Sequence, residues 1–239
     1  MKVRGERECT SCGTQWSYYE TGSVICPSCG SIRSVGLDDR TEHTAGPASL
    51  NLAEVRSLVD GVPTAELADD VESVCAEYVR RSGFIVAGEL RELDDTYLAA
   101  QELRHVAAEV GRSMRVTDEE EYYFLDLLRG ADEGERPLPT EVPESMYGAH
   151  GLAVAAALDA YRTDLRRYLE DTSDATVVGL LGSLRDHQKR VEALDGEVSP
   201  RSAESLVRVA RAVGRALADD DESALVEARE LLDGFDLET

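Results

Sequence analysis

The chain has 239 residues, of which 42% are hydrophobic and 5% aromatic, so it is long enough for one or two domains with aliphatic cores. Its 48 acidic and 25 basic residues give a formal net charge of −23, which disfavours nucleic-acid binding by bulk charge and docking on an anionic membrane. The longest apolar run, Gly151 to Leu158, is far shorter than the ~20 residues that span a bilayer. Because the charged N-terminus lacks the apolar segment of a secretory signal, we expect a cytoplasmic protein.

The basic residues are almost all arginine, and Lys2 and Lys189 are the only lysines. An excess of carboxylates with so little lysine is typical of salt-accumulating cytoplasms, where high ionic strength screens self-repulsion. The composition therefore predicts a halophilic protein. An acidic protein from a GC-rich genome is the alternative that the composition leaves open.

Residues 1–36 differ in composition from the rest of the chain. They contain four of the five cysteines and the only tryptophan, together with four basic and three acidic side chains. Nearly all of the negative charge therefore lies beyond them. We predict a small separate module at 1–36, followed by a polar linker at 37–48 that has no apolar periodicity.

Four cysteines form two CxxC pairs, Cys9 with Cys12 and Cys26 with Cys29, and a glycine follows each pair. In a cytosolic chain this spacing indicates a metal site rather than a disulfide framework. Each pair wraps one tight turn around the metal, and the glycine allows the positive φ that such a turn needs. Four thiolates fill a tetrahedral shell, so the sequence predicts structural Zn²⁺ with no open position for activating water.

The residues between the two pairs predict short strands. Residues 15–19 are rich in aromatics, 20–23 form a turn, and 24–25 are apolar, which together predict a β-hairpin. Residues 32–35 predict a third strand. A module of this size buries too little apolar surface to fold alone, and zinc binding, worth about 10 to 16 kcal/mol, supplies the missing stability.

The segment CTSCGTQWSYYETGSVICPSCGSIRSVG resembles a zinc ribbon. Its second half resembles the second knuckle of the ribbon in archaeal transcription initiation factor B, a family in which the ribbon contacts RNA polymerase and cyclin-like repeats bind promoter DNA. The CPxCG knuckle also resembles rubredoxin-like ribbons, which hold iron or zinc. The resemblance covers residues 5–36, the hairpin is shorter than usual, and the acidic remainder does not resemble DNA-binding repeats. The whole chain is similar to uncharacterised zinc-ribbon proteins of haloarchaea.

Apolar periodicity beyond the linker is helical and predicts a mainly α helical bundle over 49–130 and 144–239. Three prolines within 131–143 predict a loop between these regions, because proline removes a backbone donor and clashes with the preceding turn. A heptad-like seam runs from Val177 to Leu194. The pattern leaves open whether the two regions form one bundle and whether the seam is a dimer interface. The predicted fold is thus a small β zinc ribbon followed by a helical bundle.

Other reactive side chains have structural interpretations in the sequence. Cys75 falls on an apolar helix face, which indicates a buried small hydrophobe. His43 is expected to be a solvated linker residue, because four cysteines already complete the metal shell. His105 and His187 lie on or beside helix seams, where satisfied or interface histidines are expected.

The functional hypothesis is a non-enzymatic adaptor whose ribbon presents Trp16, Tyr18, Tyr19 and Arg33 to a partner. A protein partner is expected, and nucleic acid is compatible only with the ribbon, where aromatic rings can stack on bases. The ribbon resemblance implies a transcription- or RNA-related setting. Packing of the aromatic rings over the knuckles is the competing interpretation. No catalytic motif is present. The alternative function is an iron-containing electron carrier or an enzyme with an unrecognised site in the helical region.

Overall fold

The computed structural model describes residues 1–169 and 174–235. A small N-terminal β region precedes a mostly helical region, which confirms the predicted fold class. No helix in these two ranges combines the length and apolar character needed to cross a membrane.

The N-terminal module is built on three strands, β2 (Glu6–Cys9), β3 (Gln15–Ser17) and β4 (Ser34–Gly36). They form an antiparallel sheet in the order β3–β2–β4. The predicted hairpin of 15–19 with 24–25 is wrong, because β3 pairs back with β2 and the chain then turns through the short helix α1 (Tyr18–Thr21). The central strand β2 supplies backbone partners to both neighbours.

The segment predicted as a linker is packed rather than free. Two further short strands, β1 (Lys2–Val3) and β5 (Thr41–Glu42), pair with each other, so residues within 37–48 bind the N-terminal module. On the other side, the N–H of Thr44 donates to the carbonyl of Ile85 at 2.9 Å and the N–H of Gly46 donates to the carbonyl of Arg81 at 2.7 Å. Residues 41–47, here called the junction segment, therefore contact both units.

The helical region begins with the short helix α2 (Ala53–Arg56), and a two-residue β-ribbon interrupts it, formed by β6 (Ile85–Val86) and β7 (Glu89–Leu90). The longer helices are α3 (Thr64–Arg81), α4 (Asp95–Arg112), α5 (Asp118–Gly130), α6 (Tyr147–Tyr168), α7 (Ala175–Ala193), α8 (Pro200–Asp219) and α9 (Glu222–Asp233). Together these elements form the helical domain.

Helix α4 joins two hydrophobic clusters. Its later residues, including Leu103 and Val106, pack with α3 and α5 in the first cluster. Its first turn, with Tyr97 and Leu98, packs with α6, α7 and α8 in the second. Helix α4, from the first predicted helical region, therefore packs against the second. The seam from Val177 to Leu194 contributes its aliphatic residues up to Val191 to the second cluster, whereas His187 is half-buried and Leu194 is exposed.

Local signals set the helix boundaries as their chemistry requires. The Thr117 hydroxyl accepts from the N–H of Glu120, and the Glu120 carboxylate accepts from the N–H of Thr117, so the two residues form a capping box at the start of α5. Ser199 caps α8 one residue before Pro200. Leu90 lies in β7 rather than in a helix, because α4 begins only after the Asp94 cap.

A close crossing fixes the start of α6. A Cβ on Gly151 would lie 2.1 Å from the carbonyl oxygen of Gly196, and one on Gly196 would lie 2.1 Å from that of Gly148. Gly196 also has φ +79°, so only glycine fits this turn without strain. The crossing holds the N-terminal part of α6 against the connection between α7 and α8.

Candidate metal centre

The two cysteine pairs form turns with the same backbone hydrogen bonds. In the first, the N–H of Gly13 donates to the carbonyl of Cys9 at 2.9 Å, and in the second the N–H of Gly30 donates to that of Cys26 at 3.0 Å. Both glycines have positive φ, +74° and +70°. The chain therefore adopts a left-handed conformation at the residue after each pair, as predicted from the glycine at that position.

The four sulfur atoms converge on one point. The Sγ atoms of Cys9 and Cys29 are 3.6 Å apart, as are those of Cys12 and Cys26, and all four lie within 4.8 Å of one another. A tetrahedral metal with bonds to sulfur of about 2.3 Å separates its sulfurs by about 3.8 Å, whereas a disulfide needs about 2.05 Å. The cluster can therefore hold a metal ion.

Charge also favours a metal at this position. The hydroxyl and N–H of Thr14 lower the pKa of the Cys12 thiol to about 6. At Cys29 the N–H of Ser31 favours the thiolate, but the nearby sulfurs of Cys12 and Cys9 outweigh it and raise the pKa to about 12. Four thiolates at this separation repel one another, so a cation is required to hold all of them deprotonated.

The cluster is half enclosed. Cys9 and Cys26 are buried with Trp16, and these three residues are the hydrophobic core of the module, while Cys12 and Cys29 are exposed. The indole N–H of Trp16 donates to the carbonyl of Ser23 at 3.0 Å. Trp16 is thus a covering residue of the metal site, and its 8% exposure leaves little ring surface for the predicted partner contact.

The other predicted contact residues lie in three different environments. Tyr19 is half-buried and its hydroxyl bonds the Thr41 hydroxyl at 2.6 Å, so it ties the module to the junction segment. Tyr18 is half-buried at the edge of a groove. Arg33 is exposed, and its carbonyl accepts from the N–H of Thr10 at 3.0 Å beside the first knuckle.

His43 is buried, at 7% exposure, rather than solvated as expected. Its ring lies 4.8 Å from the ring of Tyr19, and its Nδ1 accepts from the N–H of Ala87 at 3.3 Å. Burial lowers its pKa, so it is a neutral packing residue of the junction segment. Polar sequence context concealed this role, because the burial comes from elements distant in sequence.

A buried charged cluster in the helical domain was missed by the sequence analysis. Glu102 on α4 is 2% exposed and accepts bonds from Nδ1 of His150 at 2.8 Å and Nη1 of Arg136 at 2.9 Å, as well as from the Tyr123 hydroxyl. Arg136 also binds Glu204 through both terminal nitrogens, at 2.8 and 3.1 Å. This network joins α4, α5, α6, α8 and the proline-rich loop.

The network is close to charge-balanced. Burial opposes ionisation of Glu102, but the positive charges of His150 and Arg136 outweigh it and lower the pKa of Glu102 to about 2. Burial likewise opposes protonation of His150. The negative charges of Glu102 and Glu204 outweigh this effect and raise the pKa of His150. Nε2 of His150 lies 3.7 Å from a Glu204 oxygen and has no hydrogen-bond partner among the described residues.

The remaining cysteine and histidines occupy structural positions. Cys75 is fully buried in the first hydrophobic cluster, as expected, and burial raises its pKa to about 12. His105 has a buried Nε2 without a described partner, and burial lowers its pKa to about 4. His187 packs edge-on against Phe235 with ring centroids 4.6 Å apart, and its Nδ1 is also buried without a described partner. The expectation that both histidines have satisfied ring nitrogens is therefore wrong.

These features define a protein with a four-cysteine, zinc-ribbon-like module joined to a helical domain. A family model described as a family of unknown function, DUF7117, matches residues 1–232. The chain belongs to this family. No curated protein and no solved structure matches it.

Proposed function

We propose that the protein is a non-enzymatic adaptor in which the N-terminal ribbon holds a structural zinc ion and presents its outer surface to a protein partner. The observation that carries the proposal is the closed set of four cysteine sulfurs. A metal with four protein ligands has no coordination position left for water or substrate. Zinc in this setting organises the fold, and the function belongs to the surface that it shapes.

The second knuckle offers that surface. Ile25, Ile32 and Val35 are 49%, 75% and 48% exposed, and the Ser34 hydroxyl bonds the Val24 carbonyl at 2.8 Å, which places β4 beside the segment that contains Ile25. Clustered exposed aliphatic side chains in a small module mark interaction sites. They support a protein partner, and the resemblance of this knuckle to that of transcription initiation factor B supports a transcription-related setting.

Metal analysis tests the zinc centre directly. The purified chain should contain one zinc per molecule and be colourless, because Zn²⁺ has a filled d shell. Chelation should release the metal and unfold the ribbon. A chain that folds its ribbon fully without any metal would contradict the proposal.

Partner capture tests the surface. Wild-type protein, Ile32→Asp and Val178→Asp serve as baits in a lysate of the source cells. Val178 is 51% exposed on α7, so its substitution is a matched control on the helical domain. We expect a protein that wild type and Val178→Asp retain and Ile32→Asp loses, with equal zinc content in all three. Identical partner sets for all baits would refute the ribbon as the interaction surface.

A second candidate, an iron electron carrier, uses the same four cysteines. The specific observation in its favour is the exposure of Cys12 and Cys29, because an exposed ligand edge allows electron exchange. Backbone donation to sulfur, as from the N–H of Ser11 to Sγ of Cys9 at 3.4 Å, tunes such centres. Visible absorption that bleaches on reduction, with one iron per chain, would select this function over the adaptor.

A further inference from the structure

A basic groove lies on the ribbon, apart from the cysteine cluster. It has a volume of about 440 Å³, and Lys2, Arg4, Arg7 and Arg40 contribute to its lining together with Tyr18 and Val24. No acidic residue is among the described residues that line it. In a chain with a net charge of −23, a concave site whose charged side chains are all positive is a local exception to the overall charge.

The arginines of the groove lack direct ion pairs in the described part of the chain, although the charge of Arg4 acts on one nearby carboxylate: burial opposes ionisation of Asp38, and backbone N–H groups together with Arg4 lower its pKa. Arg4, Arg7 and Arg40 form no ion pair with the described residues, whereas arginines of the helical domain commonly form them, as Arg56 does with Asp132 and Arg211 with Asp95. Other ion pairs of helical-domain arginines involve Arg80, Arg112, Arg129, Arg136, Arg167 and Arg215. The guanidinium groups of these three arginines can therefore pair directly with an external anion.

Neutral hydrogen-bond partners hold two of these side chains in place. The aliphatic part of Arg4 lies across Gly36, where a Cβ would come within 2.5 Å of it, and its Nη1 donates to the Gly36 carbonyl at 3.2 Å. The guanidinium of Arg7 donates to the Ser34 hydroxyl at 2.9 and 3.1 Å. Because these side chains are already ordered, they lose less conformational entropy when an anion binds.

We infer that this groove binds a short acidic segment of the protein partner, an inference that rests on the proposed function. Carboxylates of the segment pair with Arg4 and Arg40 at the rim, and an apolar side chain contacts Tyr18 and Val24. The exposed aliphatic surface of the second knuckle continues the contact, since the Val24 carbonyl bonds the Ser34 hydroxyl of β4. An acidic segment flanked by apolar residues matches both parts of this surface.

The surroundings of the groove favour a protein segment over a nucleic acid. A nucleic-acid strand carries a charge at every nucleotide, and exposed carboxylates stand next in sequence to two of the groove arginines, Glu6 beside Arg7 and Asp39 beside Arg40. The helical domain beyond is more acidic still. A peptide can restrict its negative charge to the few residues that face the groove.

The test uses the full zinc-loaded chain and three labelled probes: a short peptide of glutamate with interspersed leucine, the same peptide with lysine for glutamate, and a short oligothymidine. Binding is followed by fluorescence anisotropy at the lowest salt concentration at which the chain stays folded. We expect the glutamate peptide alone to bind, with an affinity that falls as salt rises. Arg40→Glu should weaken this binding by about tenfold.

Controls separate a groove effect from a general charge effect. Arg115→Glu makes the same charge change at an exposed position outside the groove and should bind the peptide as wild type does, with equal zinc content. Arg4→Glu provides a second groove variant. No binding of the glutamate peptide, equal weakening by Arg115→Glu, or tighter binding of oligothymidine would each overturn the inference. These outcomes would not affect the partner-capture experiment with Ile32→Asp, which tests the proposed function independently of the groove.

Discussion

The ribbon and the helical domain hold their folds by different means. The ribbon buries only Cys9, Trp16 and Cys26 as its core, whereas the helical domain has two large hydrophobic clusters joined through α4. The ribbon therefore depends on one metal ion for stability. The helical domain depends on apolar burial spread over many residues, and the single site whose loss should destabilise it most is the buried charged network around Glu102. We therefore expect that substitutions can unfold one region while the other stays folded.

The largest expected effect is loss of the ribbon on removal of one cysteine. Cys26→Ser removes a buried ligand, so we expect loss of bound zinc and unfolding of residues 1–36 with the helical domain retained, measured by metal content and circular dichroism. Cys75→Ala is the reciprocal variant: it should destabilise the helical domain by about 1 kcal/mol and keep zinc. Collapse of the helical domain in Cys26→Ser would show that the two stabilities are not separable.

The next effect concerns the buried network. Glu102→Gln removes the negative charge that faces His150 and Arg136. Because their positive charges then lack this buried partner, we expect the free energy of unfolding to fall by about 3 kcal/mol. Glu109→Gln, which breaks an exposed pair with Arg112 on the same helix, should cost less than about 1 kcal/mol. Denaturant unfolding measures both, and equal effects would contradict a special role for the network.

A smaller effect is expected at the junction. Asp164 is 4% exposed and accepts from the Phe84 N–H at 2.8 Å and the Thr44 hydroxyl at 2.5 Å. Asp164→Ala leaves a buried donor unpaired, which costs about 2 kcal/mol, and should speed hydrogen exchange at Phe84 and Thr44. Asp126→Ala breaks only an exposed pair with Arg129 and serves as the control. Unchanged exchange at Phe84 would contradict this account of the junction.

The smallest effect is a pH dependence confined to the helical domain. Because the folded pKa of His150 is raised, its contribution to stability is complete below the unfolded value of about 6.5 and is lost as pH rises through the folded pKa. The difference in unfolding free energy between wild type and His150→Gln should therefore be largest below pH 6.5 and shrink above it. A difference in unfolding free energy that grows with pH would show that the folded pKa of His150 is lowered rather than raised, and would contradict this prediction.

The metal cluster was predictable because its chemistry is local. Each cysteine pair and the glycine after it form one turn, so spacing alone indicated the geometry. Strand β2 was missed because Glu6–Cys9 is short and mostly polar, and its place in the sheet depends on backbone pairing with two later strands. The ordered junction segment escaped prediction for the same reason, since backbone hydrogen bonds leave no apolar pattern.

The buried network was partly visible in the sequence. Glu102 lies four residues from Leu98 and from Val106, both buried, so it interrupts the apolar face of α4. His150 directly precedes the longest apolar run of the chain. Each signal pointed to a buried polar residue, but the partners lie up to 68 residues apart, and only the packing of the helices shows that their charges meet.

The junction segment bears on how this architecture can be inherited. Residues 41–42 complete a strand pair with the N-terminus, and residues 44–46 bond to the β6 strand and the end of α3. A genetic exchange that transferred only the cysteine-containing part would leave the backbone groups of Ile85 and Arg81 without these partners. The family model extends across both units, as expected for two units that share such a connection.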